Sequence, residues 1–213
     1  MSAMPPTLTV AAIEAARARL AGVVEETPCA LSRTLSAMTG TRCWVKLENL
    51  QMTGSFKERG AANLLLQLEP ADRRRGVIAA SAGNHGLAVA HHAALLEIPA
   101  VIVMPEWAPL VKVTSARRDG AEVILFGGSF DEAYDHAREL GAARDLLFVH
   151  PFDDERIIAG QGTIGLEVLD QVEAVDTVLV PVGGGGLAAG VALAVRAVRP
   201  GVRVIGVRTA EPG

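Results

Sequence analysis

The spacing of apolar residues along the chain predicts an alternation of helices and strands. Near the amino terminus, Ile13, Ala16 and Leu20 recur at helical spacing among charged residues, so we expect an amphipathic helix over residues 7–21. Short and nearly continuous apolar runs are instead typical of buried strands. Such runs predict strands at residues 43–47, 77–80, 100–104, 122–126, 146–149, 177–182 and 202–207.

Helical patterns occupy most of the gaps between the predicted strands. They predict helices at residues 61–68, 87–96, 110–119, 130–140, 163–172 and 187–198. Strands that alternate with helices, and that are apolar along almost their whole length, are typical of parallel sheets covered by helices on both faces. We therefore expect an α/β fold of open parallel sheets in three αβα layers.

Composition narrows the class of protein further. With 213 residues, of which 50% are hydrophobic and 4% aromatic, the chain suits an α/β protein of one or two domains better than a β-sandwich. A formal net charge of −4, with no basic run longer than the three arginines at 73–75, argues against a nucleic-acid partner. No run is long enough to span a bilayer and no signal-like segment is present, so a membrane location is not expected. Two cysteines without metal-like spacing, Cys29 and Cys43, fit a reducing cytoplasm.

One lysine stands where a stability argument would place an acid. Ser55 and Glu58 have the spacing of a capping box, so a helix is expected to begin at Ser55 with Lys57 in its first turn. The positive end of the helix dipole would lower the pKa of the Lys57 ammonium. A neutral amine forms a Schiff base with an aldehyde, which makes Lys57 a candidate nucleophile. The alternative is a solvated surface lysine after a helix cap.

The loop after the predicted strand at 77–80 is a candidate carboxylate site. In parallel sheets, ligands bind at the carboxyl ends of the strands. This loop combines small residues with N–H groups at a helix start, where an anion can bind: Ser81, Ala82, Gly83, Asn84 and His85. Ordinary N-cap roles for Ser81 and Asn84 are the alternative.

Four successive glycines precede the helix predicted at 187–198: Gly183, Gly184, Gly185 and Gly186. Such a run loses backbone entropy without packing, which is expected mainly where a phosphate contacts N–H groups at a helix start. Gly184, Gly186 and Ala189 also satisfy a dinucleotide pattern, and Arg208 ends the next strand, as an NADP site could require. An NADP-dependent oxidoreductase is therefore an alternative from another class.

The histidines give little support for a metal. His91 and His92 fall within a predicted helix without partners at ligand spacing, so packing or solvent contact is expected. His150 lies at a strand end beside Asp153 and Asp154, where we favour a capped loop over a metal site.

Four motifs taken together resemble one family. They are SFKERGA at 55–61, SAGNH at 81–85, HPF at 150–152 with GQGT at 160–163, and the four glycines before Leu187. In this order they resemble the threonine and serine dehydratases, which are pyridoxal-phosphate-dependent ammonia-lyases of the tryptophan-synthase β fold (fold type II). The resemblance implies a cofactor-binding large domain of residues 1–75 plus 151–213, incomplete at its carboxyl end, and a small domain of residues 76–150 that closes over the site.

The resemblance also implies roles for individual residues. Lys57 would hold pyridoxal 5'-phosphate covalently and later transfer the proton, with Phe56 packed near the cofactor ring. Asn84 would hydrogen-bond the phenolic oxygen, and the four glycines with Leu187 would hold the phosphate. The 81–85 loop would receive the substrate carboxylate.

The implied reaction is elimination from L-threonine or L-serine to 2-oxobutanoate or pyruvate and ammonia. The amino acid would be the only partner besides further copies of the chain, in a cytoplasmic dimer or tetramer. A serine racemase or a hydroxyaspartate dehydratase is the related alternative. No motif side chain is placed to protonate the leaving hydroxyl, so the cofactor phosphate is the candidate acid.

The chain departs from the family pattern at three positions and in length. Ala82 replaces the serine that acts as an acid in related racemases, so poor racemisation is expected. Arg208 stands where cation-binding members carry an acid, which argues against a metal, and Leu87 replaces a glutamine. The family's chains continue past Gly213 to a group that faces the pyridine nitrogen. Weak cofactor binding is therefore expected of these 213 residues alone, and an inactive fragment is a further alternative.

Overall fold

The computed structural model describes residues 8–210, so the predicted first helical residue, at position 7, lies outside the described residues. The described residues form nine α-helices, eight strands and one 3₁₀ helix at Glu48–Leu50. The elements are α1 Val10–Leu20, β1 Cys29–Leu31, α2 Arg33–Thr39, β2 Trp44–Lys46, α3 Lys57–Leu66, α4 Pro70–Arg75, β3 Val77–Ala80, α5 Asn84–Leu95, β4 Ala100–Met104, α6 Leu110–Arg118, β5 Glu122–Leu125, α7 Phe130–Ala143, β6 Leu147–Phe148, α8 Glu155–Gln171, β7 Thr177–Pro181, α9 Gly186–Val198 and β8 Arg203–Val207.

The largest sheet contains four parallel strands in the order β5-β4-β3-β6. Alternate residues of β3 enter different apolar clusters, because successive side chains of a strand point to opposite faces. Val77 and Ala79 pack with residues of α5 and α6, whereas Ile78 and Ala80 pack with α7. Helices therefore cover both faces of this sheet, which confirms the expected αβα layers.

A second parallel pair, β7 and β8, packs against α8 and α9. Helix α1 lies on the other side of α8 and buries Ile13, Ala16 and Leu20, as its amphipathic pattern predicts. Strand β2 pairs instead with β1, and this pairing is antiparallel. Strand β1 was not predicted, because it is only three residues long and mostly exposed and therefore shows no pattern of buried apolar residues.

Helix α8 begins at Glu155, eight residues before the predicted start at 163, and this prediction was wrong. Gly160 and Gly162 look like helix breakers in the sequence, but both lie inside the helix at close contacts with neighbouring helices. A Cβ on Gly160 would lie 2.6 Å from the Arg59 carbonyl oxygen, and one on Gly162 would lie 3.0 Å from the Gly190 carbonyl oxygen. The glycines thus allow α3, α8 and α9 to pack closely.

Two short helices, α2 and α4, also escaped prediction because each is too short to show a full period of buried positions. Among residues 8–210, no helix combines the length and the apolar character that crossing a membrane requires.

Candidate active site

Lys57 is the first residue of α3 and its side chain turns inward. Its Nζ donates a hydrogen bond to the carbonyl oxygen of Pro151 at 2.7 Å and lies 5.5 Å from the centre of the Phe56 ring. Burial lowers the pKa of Lys57 from 10.5 to about 8. The direction agrees with the expectation, and the cause that the structure adds is removal of the amine from water. The solvated surface lysine is therefore not what the structure shows.

The capping box predicted at the start of α3 is absent. Helix α3 begins at Lys57 instead of Ser55, and the Ser55 hydroxyl is buried without a hydrogen-bond partner in the described part of the chain. The Glu58 carboxylate accepts hydrogen bonds from the N–H and hydroxyl of Thr53. The carboxylate also lies 3.4 Å from Nε2 of His92. His92 is buried, as expected if it packs in the interior rather than contacting solvent. Glu58 thus turns toward α5 and cannot return to Ser55.

The four glycines form a cradle at the start of α9. Gly185 is the N-cap residue with φ +93°, a conformation that favours glycine. A Cβ on Gly184 would overlap carbon atoms of the Phe152 ring, so the loop needs a glycine there to approach that ring. Ala189 is the first residue of α9 whose N–H bonds back to the loop, to the Gly185 carbonyl. The N–H groups before it have no intrahelical partner and can bind an anion.

One cavity of about 120 Å³ brings the Lys57 amine and the four glycines together. Its lining includes seven of the predicted site residues, namely Phe56, Lys57, Gly183, Gly184, Gly185, Gly186 and Leu187. The rest of the lining comes from Gln161, Pro181 and residues 151–152. None of the predicted residues at 81–85 lines this cavity.

The 81–85 loop begins at the carboxyl end of β3 and leads into α5. The Ser81 hydroxyl accepts from the Gly83 N–H, so Ser81 stabilises the turn locally. Asn84 is the first residue of α5 and does not cap it; its Oδ1 accepts from Lys112 Nζ at 2.8 Å. The helix start is thus not explained by an ordinary N-cap side chain.

His85 connects this loop to the lysine side of the site. Its Nε2 lies 3.0 Å from the Val149 carbonyl oxygen, two residues before the carbonyl that Lys57 contacts. A carbonyl only accepts, so Nε2 carries the proton. Burial and the nearby Lys57 charge lower the pKa of His85 to about 3, which keeps the ring neutral.

The turn after β6 is held by His150. Its Nδ1 accepts from the N–H groups of Phe152 and Asp153, so the capped loop predicted here is confirmed. This turn places the Phe152 ring against Gly184 and the Pro151 carbonyl against Lys57. Residues 149–152 therefore link the 81–85 loop, the lysine and the glycine cradle.

A buried charge cluster near the lysine was missed by sequence reasoning. Arg59, fully buried on α3, donates hydrogen bonds to Glu48 and Glu167, and Lys46 also contacts Glu167. Burial acts to lower the pKa of Arg59, but these carboxylates raise it above its ordinary value. The cluster joins α3 to α8 and fixes the helix two residues from Lys57. The available signal was a charged pair, Glu58 and Arg59, directly before an apolar helical run.

The arrangement suits a ligand that carries both an aldehyde and a phosphate. The buried amine is partly neutral near pH 8 and can react with a carbonyl. The glycine cradle beside it offers free N–H groups to an anion in the same cavity. The site residues therefore fit pyridoxal phosphate.

Comparison with known proteins agrees with this chemistry. Residues 20–212 match the family described as pyridoxal-phosphate dependent enzyme, and the chain belongs to this family. The family match supports pyridoxal phosphate over the nicotinamide cofactor of the alternative interpretation. Within it, the chain is 51% identical to an L-threonine ammonia-lyase of Thermotoga maritima over 202 residues, which are 95% of this chain and 50% of that relative.

Two solved structures share the fold closely. The processed form of threonine deaminase isoform 2 from Solanum lycopersicum has a TM-score of 0.89 and 41% identity, over 93% of this chain and 54% of that one. The serine racemase of Dictyostelium discoideum has a TM-score of 0.90 and 34% identity, over 96% of this chain and 67% of that one. The chain thus spans about half the length of the Thermotoga and Solanum proteins.

Proposed function

We propose that this chain provides the cofactor-binding lysine and phosphate cradle of an ammonia-lyase that acts on L-threonine, L-serine or both. The products would be 2-oxobutanoate or pyruvate, with ammonia. The observation that carries this proposal is the single cavity in which the buried amine of Lys57 meets the glycine cradle. The 51% identity to a threonine ammonia-lyase supports threonine as a substrate.

The cofactor would be held at both ends. Lys57 would bind it covalently, Phe56 would pack beside its ring, and Gly183–Gly186 with Leu187 would hold its phosphate. Asn84 would donate a hydrogen bond to its phenolic oxygen. Once bound, pyridoxal phosphate supplies an electron sink for the charge left when a proton leaves the substrate Cα.

The chain's own residues would bind and deprotonate the substrate. The first N–H groups of α5 lack intrahelical partners, since Leu87 is the first residue to bond back to the loop, so residues 81–85 can receive a carboxylate. Once the substrate amino group has replaced Lys57 on the cofactor, the released lysine would remove the Cα proton as a neutral amine. Its pKa of about 8 leaves part of the amine neutral near neutral pH. Donation of one N–H to Pro151 directs the amine lone pair away from that carbonyl.

The proposed domain division follows the sheets. All four strands of the larger sheet come from residues 77–148, which supports a small domain at 76–150. The elements before and after it, with the cavity residues, support a large domain of residues 1–75 plus 151–213. We propose a cytoplasmic homo-oligomer; Cys29 and Cys43 are both free, as a reducing compartment would favour.

Similarity to serine racemase makes racemisation the second candidate. The residue that decides between the two is Ala82, because it offers no side-chain proton donor in the substrate loop. We predict that Ala82→Ser increases the ratio of racemisation to elimination. Chiral chromatography of serine alongside pyruvate formation measures this ratio, and an unchanged ratio would contradict the role given to Ala82.

The direct test exploits the small number of lysines. The chain contains three, Lys46, Lys57 and Lys112, so reduction of the cofactor adduct with borohydride followed by peptide mass spectrometry identifies the attachment site. We expect the adduct on Lys57, and an absorption band of bound cofactor that disappears in Lys57→Ala with an unchanged circular dichroism spectrum. An adduct elsewhere, or a band that survives the substitution, would refute the proposal. Coupled assays for 2-oxobutanoate and pyruvate then compare the substrates.

A further inference from the structure

The third lysine of the chain occupies a special position. Arginine supplies 17 of the 20 basic side chains, so lysine is not this chain's usual surface cation. Lys46 belongs to the buried charge cluster and Lys57 to the cavity. Lys112 is the remaining lysine, and its Nζ lies 2.8 Å from Oδ1 of Asn84.

The sheet brings these two residues together across 28 positions of sequence. Strands β3 and β4 are parallel neighbours, from Val77 opposite Ala100 onward, so their carboxyl ends lie side by side. Asn84 begins the helix that follows β3, and Lys112 lies in the first turn of the helix that follows β4. The contact therefore joins two helix starts at the edge where ligands bind in parallel sheets.

A lysine is unfavourable at this place unless it has an anionic or polar partner. The first turn of α6 contains no acid, and the positive end of its helix dipole opposes a cation. The start of α5 adds a second positive dipole end close by. Two helix starts and an ammonium group make the surroundings of Asn84 electropositive, which suits an anionic ligand group.

The contact also decides the orientation of the Asn84 amide. An ammonium group only donates hydrogen bonds, so Oδ1 must face Lys112. The Nδ2 group then points away from Lys112 with its two N–H donors. A flipped amide would place these donors against the ammonium, and the lysine therefore excludes that orientation.

We propose that Lys112 is a positioning residue that acts through Asn84. Its contact with Oδ1 leaves the two Nδ2 donors of Asn84, an exposed residue outside the lining of the Lys57 cavity, free to meet the phenolic oxygen of the cofactor. This inference rests on the proposed function, because it needs pyridoxal phosphate at Lys57 and Asn84. It concerns binding and orientation and adds no chemical step.

A double-mutant cycle tests whether Lys112 acts through Asn84. Pyridoxal phosphate is titrated into the wild type, Lys112→Met, Asn84→Ala and the double variant, and absorbance gives the dissociation constant and the band position. We expect Lys112→Met to weaken binding about tenfold and to shift the band, as expected for loss of a charge-assisted hydrogen bond. In the Asn84→Ala background, the same substitution should have almost no further effect.

Two further variants control for charge and folding. Arg117→Met removes a cation from the exposed last turn of the same helix and should leave the dissociation constant unchanged. Lys112→Gln keeps a polar side chain but no charge, and should resemble Lys112→Met. Circular dichroism melts of the cofactor-free chains show whether each variant folds.

The outcomes separate this inference from the proposed function. If wild type shows no cofactor band that depends on Lys57, the proposed function fails and this inference fails with it. If the band is present but Lys112→Met behaves like Arg117→Met, only this inference fails. If Lys112→Met weakens cofactor binding equally in the wild-type and Asn84→Ala backgrounds, Lys112 acts by its charge alone. If the substitution changes only the KM of the amino acid, Lys112 contacts the substrate directly. Either result overturns the proposal.

Discussion

Replacement of Glu167 by glutamine should destabilise the chain strongly. The Glu167 carboxylate is nearly buried on α8 and accepts hydrogen bonds from Arg59 and Lys46, whose side chains are 1% and 9% exposed. Glutamine has almost the same shape but no charge. The substitution therefore leaves Arg59 with Glu48 as its remaining carboxylate and removes the carboxylate that pairs with Lys46.

The magnitude follows from the exposure of these groups. Removal of one partner from a buried ion pair costs about 3–5 kcal/mol, because the remaining charge is not compensated by water. Asp170, one turn further along α8, provides a matched control. It pairs with Arg17 at 2.6 Å, but the two side chains are 54% and 42% exposed. Asp170→Asn should accordingly cost no more than about 1 kcal/mol.

Urea denaturation followed by circular dichroism measures both changes. The free energy of unfolding is extrapolated to water for wild type, Glu167→Gln and Asp170→Asn, and the slopes are compared to confirm that the same surface unfolds. We also expect weaker cofactor binding by Glu167→Gln, since the cluster fixes α3 two residues from Lys57. Values for the two variants that agree within about 1 kcal/mol would refute the reasoning.

Three further predictions concern the glycine cradle and the pH dependence of stability. Gly184→Ala should destabilise the chain by about 1–3 kcal/mol and abolish cofactor binding, because the new methyl group would overlap the Phe152 ring. The control is Gly183→Ala, where a Cβ meets nothing within 4 Å, and this variant should melt at the wild-type temperature. Equal melting temperatures for the two variants would contradict this prediction. The pKa of Lys57 is about 8 in the folded chain and 10.5 ordinarily, so the unfolded chain binds more protons between these values and stability rises with pH across that window. Unfolding free energies at pH 8 and 10.5 should show this rise in wild type relative to Lys57→Met, and parallel pH profiles would exclude it. The pKa of His85 is about 3 against 6.5 ordinarily, so stability is lost as the pH falls from 6.5 toward 3. Acid titrations should show a shallower loss in His85→Gln, whereas an equally steep loss would argue against a buried neutral ring.

Sequence reasoning succeeded where the signal is local. Strands β3 and β4 have the predicted bounds because each is one continuous apolar run, and such runs are buried whatever their neighbours are. The glycine loop was singled out because four successive glycines cost backbone entropy, which is expected mainly where a phosphate contacts their N–H groups. The packing of Gly184 against the Phe152 ring was not foreseen. The parallel arrangement followed from the alternation of elements, since parallel neighbours need a helical crossover.

The sequence-based predictions were wrong where a residue distant in sequence determines the local structure. Gly160 and Gly162 resemble breaks, yet they lie within α8 because their missing side chains admit α3 and α9. Ser55 and Glu58 have capping-box spacing, yet the Glu58 carboxylate accepts a hydrogen bond from Thr53 and contacts His92 instead. Neither partner helix nor His92 can be recognised from the local pattern.

The alternation of the longer helices with strands, the two candidate ligand loops and the candidacy of Lys57 can be read from the chain alone, because periodicity and glycine content act over a few residues. Only the folded chain buries Lys57 against Pro151, 94 positions away, and brings Arg59 to Glu167 across 108 positions. Burial depends on which segments pack together and not on the neighbours in sequence. The lowered pKa of Lys57, on which its proposed role depends, is therefore a property of the fold.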